Sequence, residues 1–188
     1  MLQEEVNIYM DDAREHMERA IAHLEHELMK ISTGKASPLI VSGLLVPYYG
    51  NLTPMGQVAN ISASDARTLV IQPWEKSMLS PIEKSIFEAN LGVTPMNDGE
   101  VVRLSFPPLT EERRRDLVKK TKHLGEEAKV SIRNSRRDAI EHFKKAVKDG
   151  LSEDIGKRKE EEVQEMTNKF SQKVDHLLDG KEKEIMTV

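Results

Sequence analysis

Three long segments of this chain carry a stripe of mostly apolar residues at helical spacing and fill the intervals with charge. That spacing is the period of an α-helix with one buried face, and it leaves little choice of architecture. In the first segment the stripe is Val6, Met10, Ala13, Met17, Ile21, Leu24, Leu28 and Ile31. In the second it is Leu117, Thr121, Leu124, Ala128, Ile132, Ser135, Ala139 and Phe143, and in the third Ile155, Val163, Met166, Phe170, Val174 and Leu177. Charged residues make up 32% of the chain and aromatics 4%. So much charge cannot enclose one thick core, whereas half-exposed helices need to bury only a stripe each. None of the three stripes can hide alone, so the helices are expected to pack as an elongated antiparallel bundle.

The punctuation agrees with this reading. Gly34 and Ser37-Pro38 end the first helix, Thr110 caps the second with Glu111 and Glu112 in its first turn, and Gly150 closes it. Ser152 caps the third. Residues 39–106 have a different character, rich in proline, glycine and β-branched residues. Leu39 to Tyr49, Arg67 to Gln72 and Val101 to Phe106 read as strands. A short helix lies between them, with Ser80 as N-cap, Pro81 at its first position, Glu83 completing a capping box, and Gly92 as its stop. Trp74, the single tryptophan, is expected to anchor this module's core. The fold class is thus α+β. Residues 1–33 and 108–188 form a discontinuous three-helix bundle, and residues 34–107 form an inserted β/α/β domain joined through two short linkers. Thr33, Gly34 and Lys35 on one linker and Pro107 and Pro108 on the other are the expected hinge.

Charge is unevenly shared. The net charge of −4 divides into −5 over residues 1–31, −1 over 32–109, +5 over 110–152 and −3 over 153–188. Between Arg113 and Arg137 there are ten Lys/Arg against three acids. Arg115, Lys119, Lys122, Lys129, Arg133 and Arg136 recur at helical steps and are expected to face about 200° away from the apolar stripe. A phosphate backbone lying along that face would gain charge-assisted contacts, and the arginine fork suits paired phosphate oxygens. The plainer alternative is a solvated helix face kept charged for solubility. With few aromatics to stack bases, reading of base sequence is not expected.

Other chemistry is poorly supported. There are no cysteines, which excludes disulfides and thiolate metal sites. His23, His26 and Glu27 share a helix face but lack a third well-placed ligand, so no metal is expected. No phosphate-cradling glycine loop, nucleophile elbow or zinc motif is present, so neither an enzyme nor a cofactor is expected. No apolar run approaches the roughly 18 residues of a membrane span, and the first residues do not form a secretory signal, which implies a cytoplasmic protein.

Several runs carry a resemblance. Ile31 to Pro38 (ISTGKASP), Tyr48-Tyr49-Gly50, Thr53-Pro54, Ser77-Met78, Ser80-Pro81, Glu83-Lys84, Pro107 to Leu117 (PPLTEERRRDL) and Val130 to Asp138 (VSIRNSRRD) together resemble bacterial ribosome recycling factors, in order and across nearly the whole chain. The resemblance implies an L-shaped, two-domain arrangement. It implies a function too: binding to large-subunit rRNA of the post-termination ribosome as a monomer, then splitting of the subunits with release of mRNA and tRNA. The partner would be elongation factor G, which hydrolyses the GTP. RNA contact would fall to Arg114, Arg133, Arg136 and Arg137, joined by Lys122 and Lys129 of the basic helix and by Lys35. The family usually has arginine on both sides of the Thr-Gly pair, where this chain has Ser32 and Lys35. Lysine keeps the charge without the fork, and serine keeps neither. Three rival readings stay open on the residues alone: a general RNA-binding or chaperone-like helical protein without recycling activity, an enzyme in the small domain, and a scaffold with no RNA affinity.

Overall fold

The computed structural model describes residues 1–31 and 33–187; Ser32 lies outside the described residues. The chain divides into two compact units, one of Met1–Ile31 with Glu112–Val188 and one of Ser32–Glu111. No helix is long and apolar enough to cross a membrane among the described residues.

The first unit is built from three helices: α1 (Leu2–Met29), α4 (Glu111–Lys148) and α5 (Glu153–Met186). The expected stripe of α1 is buried throughout, from Val6 at 0% exposure to Ile21 at 9%, because its period matches the helix. Leu117, Thr121, Ala128, Ile132, Ala139 and Phe143 of α4 and Val163, Met166, Phe170 and Val174 of α5 are buried too. Leu124, Ser135, Ile155 and Leu177 are half-buried at the margin. Contacts fix the direction of α5 against α4. Going up α4, Arg114, Gly125 and Val147 meet Met186, Leu178 and Gly156, so the two helices are antiparallel. Two of these meetings need a missing side chain. A Cβ on Gly125 would stand 2.3 Å from Leu178 Cδ1, and one on Gly156 would stand 2.5 Å from Val147 Cγ2. At the other flank of α4, the His142 ring stacks on Tyr9 of α1 with centroids 3.7 Å apart.

The turn between α4 and α5 is a Schellman closure. Gly150, at φ +114°, donates its N–H to Val147, and Leu151 donates to Ala146. Ser152 occupies the N-cap of α5 without a side-chain cap bond, so its contribution there is conformational.

The second unit holds a two-stranded hairpin, β1 (Leu45–Tyr48) with β2 (Asn51–Pro54). It also holds a four-stranded antiparallel sheet in the order β3 (Ala59–Asp65), β4 (Thr68–Pro73), β6 (Val102–Ser105), β5 (Met96–Asn97). Its helices are α2 (Leu39–Ser42) and α3 (Leu79–Glu88). The core gathers Val41, Val46, Met55, Leu69, Ile71, Ile82, Ile86, Val102 and Leu104, all fully buried.

Several sequence expectations fail in this unit. Leu39 to Tyr49 is not one strand: Pro38 starts a helical turn, α2, and only Leu45–Tyr48 is extended. Ser80 is not the cap of α3, because a 3₁₀ turn over Lys76–Met78 starts the helix early and Met78 takes the N-cap place. The helix ends at Asn90, whose φ of +51° supplies the left-handed stop, and not at Gly92. Trp74 is 67% exposed and anchors no core. Its backbone N–H donates to Val58, but its side chain is left to solvent. Its neighbour Glu75 instead organises the hairpin, accepting from Tyr48 Oη at 3.2 Å and Tyr49 Oη at 2.9 Å. Burial raises the Tyr48 phenol above its ordinary pKa, and the bond to Glu75 does the same for Tyr49. That pair of bonds holds Tyr49 at φ +46°, a conformation side chains rarely adopt, within the two-residue Tyr49-Gly50 turn.

Two acidic turns make this unit acid-sensitive. Asp98 accepts from the backbone N–H groups of Val101 and Glu100, and Asp65 accepts from that of Arg67. These bonds favour the charged carboxylates and hold both groups below the ordinary aspartate value. On acidification the unfolded chain therefore takes up protons first. The contribution is present above about pH 4 and is lost as pH falls through the lower folded value. Asp98→Asn keeps a carbonyl acceptor and removes one titration. It should flatten the acid limb of this unit's stability, followed by amide exchange between pH 5 and 2; an unaltered limb would reject the assignment.

Candidate nucleic-acid interface

Helix α4 sets the place of every basic residue singled out above except Lys35, which is exposed at the start of the second unit. Lys122, Arg133 and Arg137 are exposed, while Arg114, Lys129 and Arg136 are half-buried. The expectation that the stripe points directly away from the core needs correction. At about 100° per residue, Lys129 stands beside buried Ala128 and Arg136 lies close to the same flank. Both meet α5. The Lys129 ammonium lies 2.6 Å from Asp175 Oδ1, and Arg136 donates from Nη1 to Gln164 Oε1 at 3.2 Å. Lys129 and Arg136 therefore lie at the seam between α4 and α5, and Lys122, Arg133 and Arg137 lie farther out on the exposed face.

The opposite flank of α4 has another composition. There it forms a cleft of about 420 Å³ with α1, lined by Glu127, Ser131, Asn134 and Asp138 of α4 and by His16, Arg19, His23 and Glu27 of α1, among others. Glu27 accepts from the Lys30 ammonium at 2.9 Å, and that bond lowers its pKa. On the α1 side α4 thus presents Glu127 and Asp138, while Lys129 and Arg136 meet α5 on the other flank. An anion chain approaching the exposed face of α4 would meet Arg133, Arg137 and Lys122, with Glu126 as the one acid among them.

Arg114 stands apart. It donates from Nη1 to the carbonyl of Met186 at 3.2 Å, which satisfies an end carbonyl of α5 and places a cation at that helix's negative end. Charge counting missed three residues of the seam: Asp175, Gln164 and Asn168. Gln164 donates from Nε2 to Asn168 Oδ1 at 3.0 Å, extending the line of contacts from Arg136. Only the antiparallel register of α4 and α5 brings these positions together. Among the described residues, no three His, Asp or Glu groups converge as a metal site.

The junction strands are held by the second unit's own backbone. Ala36 donates its N–H to Ala66 at 2.8 Å, and Phe106 donates to Arg67 at 2.7 Å. One turn, between β3 and β4, therefore fastens both strands. Gly34 has φ +74°, and a Cβ there would stand 3.2 Å from Leu109 Cγ.

With this geometry in hand, the comparisons with known proteins are specific. The family model described as ribosome recycling factor matches residues 24–186. The ribosome-recycling factor of Cytophaga hutchinsonii is 54% identical over 185 residues, covering 98% of this chain and 100% of that one. That of Flavobacterium johnsoniae is 53% identical, covering 98% and 99%. The solution structure of a ribosome recycling factor matches with a TM-score of 0.87 at 38% identity, covering 98% of both chains. A second match, with a TM-score of 0.66 at 43% identity and coverage of 97% and 99%, comes from models of the T. thermophilus ribosome recycling factor and the E. coli elongation factor G bound to the E. coli post-termination complex.

Proposed function

The chain belongs to the ribosome recycling factor family, and from that membership we propose that it binds post-termination ribosomes in the cytoplasm and, with elongation factor G and GTP, promotes their splitting into subunits with release of mRNA and tRNA. The observation that carries the docking step is the basic run of α4, ten Lys/Arg against three acids between Arg113 and Arg137, with Lys129 and Arg136 set beside α5. Arg133, Arg136, Arg137, Lys122 and Lys129 form the surface for rRNA phosphates in this reading, with Lys35 as an outlying contact. Arg114 contributes by holding the end of α5 as well as by its charge. Such a surface recognises the backbone of folded RNA by position and charge, and base identity plays little part.

The chain itself supplies no bond-breaking chemistry in this reading. Elongation factor G hydrolyses GTP and does work on the small unit, which turns about Thr33, Gly34 and Lys35 on one strand and Pro107 and Pro108 on the other. The backbone bonds of Ala36 and Phe106 support placing the pivot outside those two residues. Gly34→Ala meets both a left-handed φ and the Leu109 side chain. It should leave ribosome binding nearly unchanged and slow splitting severalfold; an equal loss in both assays would mean a damaged fold and not a stiffened pivot.

The direct test is light scattering of post-termination ribosomes mixed with this protein, elongation factor G and GTP. A fall in scattering that needs all three supports recycling. Ribosome binding with no fall under any condition would leave the chain as a general RNA-binding protein.

A further inference from the structure

We propose that Gln164 and Asn168 of α5 are positioning residues of the rRNA-binding surface, holding the Arg136 guanidinium ready for a phosphate without cancelling its charge. The inference rests on the docking role given to Arg136 above. Its geometry is a line of two hydrogen bonds across the seam. Arg136 Nη1 donates to Gln164 Oε1 at 3.2 Å, and Gln164 Nε2 donates to Asn168 Oδ1 at 3.0 Å. The guanidinium has donors only, so it takes the oxygen end of the Gln164 amide, and the nitrogen end is then turned to Asn168 Oδ1, which holds the amide in place.

Two chemical points give this arrangement its use. An arginine that grips a phosphate gives up rotamer freedom, and a partner that already holds the guanidinium removes part of that loss before binding. Gln164 occupies one donor, and the fork has four more. The partner's charge matters as well. Lys129, seven residues earlier on the same flank, is matched with the carboxylate of Asp175 at 2.6 Å, so the two charges largely cancel there. Arg136 is matched with a neutral amide, and its full positive charge stays on the surface. The docking surface thus holds two neighbouring cations differently: Lys129 would meet phosphate from an ion pair with Asp175, and Arg136 from a bond to a neutral amide.

Binding of the full-length protein to vacant ribosomes, measured across a range of KCl concentrations, tests this. Gln164→Ala removes the positioning bond and no charge. Affinity should fall roughly three- to tenfold at every salt concentration, with the slope of log affinity against log salt unaltered. Gln164→Glu keeps the bond and cancels the charge, so it should lower both affinity and slope, approaching Arg136→Ala. In the Arg136→Ala background Gln164→Ala should have no further effect, because the residue acts through the arginine. A Gln164→Ala protein that binds like the parent, or a loss that simply adds to that of Arg136→Ala, would overturn the positioning role while leaving docking intact. If Arg136→Ala alone leaves both affinity and slope unchanged, the docking reading fails first and the positioning role with it.

Discussion

Ribosome affinity should drop about a hundredfold when Arg133 and Arg136 are both replaced by alanine. Each is expected to give a charge-assisted bond to phosphate, worth about 1.5–3 kcal/mol when well formed. Arg133 is exposed and water screens it, so the lower end of that range applies to it. Two such losses come to about 3 kcal/mol, a factor of roughly 10². The salt dependence is the sharper readout. Losing two phosphate contacts should reduce the slope of log affinity against log salt by about 1.4–1.8. Neither side chain belongs to the buried stripe of α4, so the melting temperature should hardly move. A double variant that binds normally from low to moderate salt would remove α4 from the interface. One that loses affinity with an unchanged slope would point to a packing defect and not to lost phosphate contacts.

The sequence made the bundle legible because a helix repeats its environment every three or four residues. Val6 to Ile31 could be assigned to one buried face with no knowledge of what covers it. The small unit had no such regularity. Ala59–Asp65 is an edge strand of the four-stranded sheet, yet its residues, ANISASD, hold one β-branched side chain; pairing with Thr68–Pro73 makes it a strand. Trp74 misled for a related reason: its size argues for burial, but the sheet ends at Pro73 and the ring lies beyond the core. The basic helix was legible as a run of charge, but its bearing was not. Whether Lys129 faces solvent or Asp175 depends on where α5 lies, and that follows from Gly125 and Gly156 admitting Leu178 and Val147 close to the helix axes. Those glycines carry no signal in a periodicity analysis, since they look like weak points in a helix and not like contacts. The amide pair Gln164 and Asn168 was invisible for the same reason.

Phe143→Ala tests the separation of the two cores and should give the largest stability change in the bundle. The ring is fully buried, at 0% exposure, and is the largest such side chain among the described residues. Emptying a site of this kind costs about 3–5 kcal/mol, through lost transfer free energy and the cavity left behind. For a unit of roughly a hundred residues each kcal/mol moves the midpoint by about 4–8 °C, so the bundle's transition should fall by on the order of 15 °C or more. The second unit owns a different buried cluster, Val41 through Phe106, which Phe143 does not join. Calorimetry should therefore show one transition displaced and the other in place. If Phe143→Ala lowers a single transition for the whole chain, the units unfold as one. The linkers would then transmit stability as well as motion, and a pivot that turns freely about Gly34 and Pro107-Pro108 would lose its physical basis.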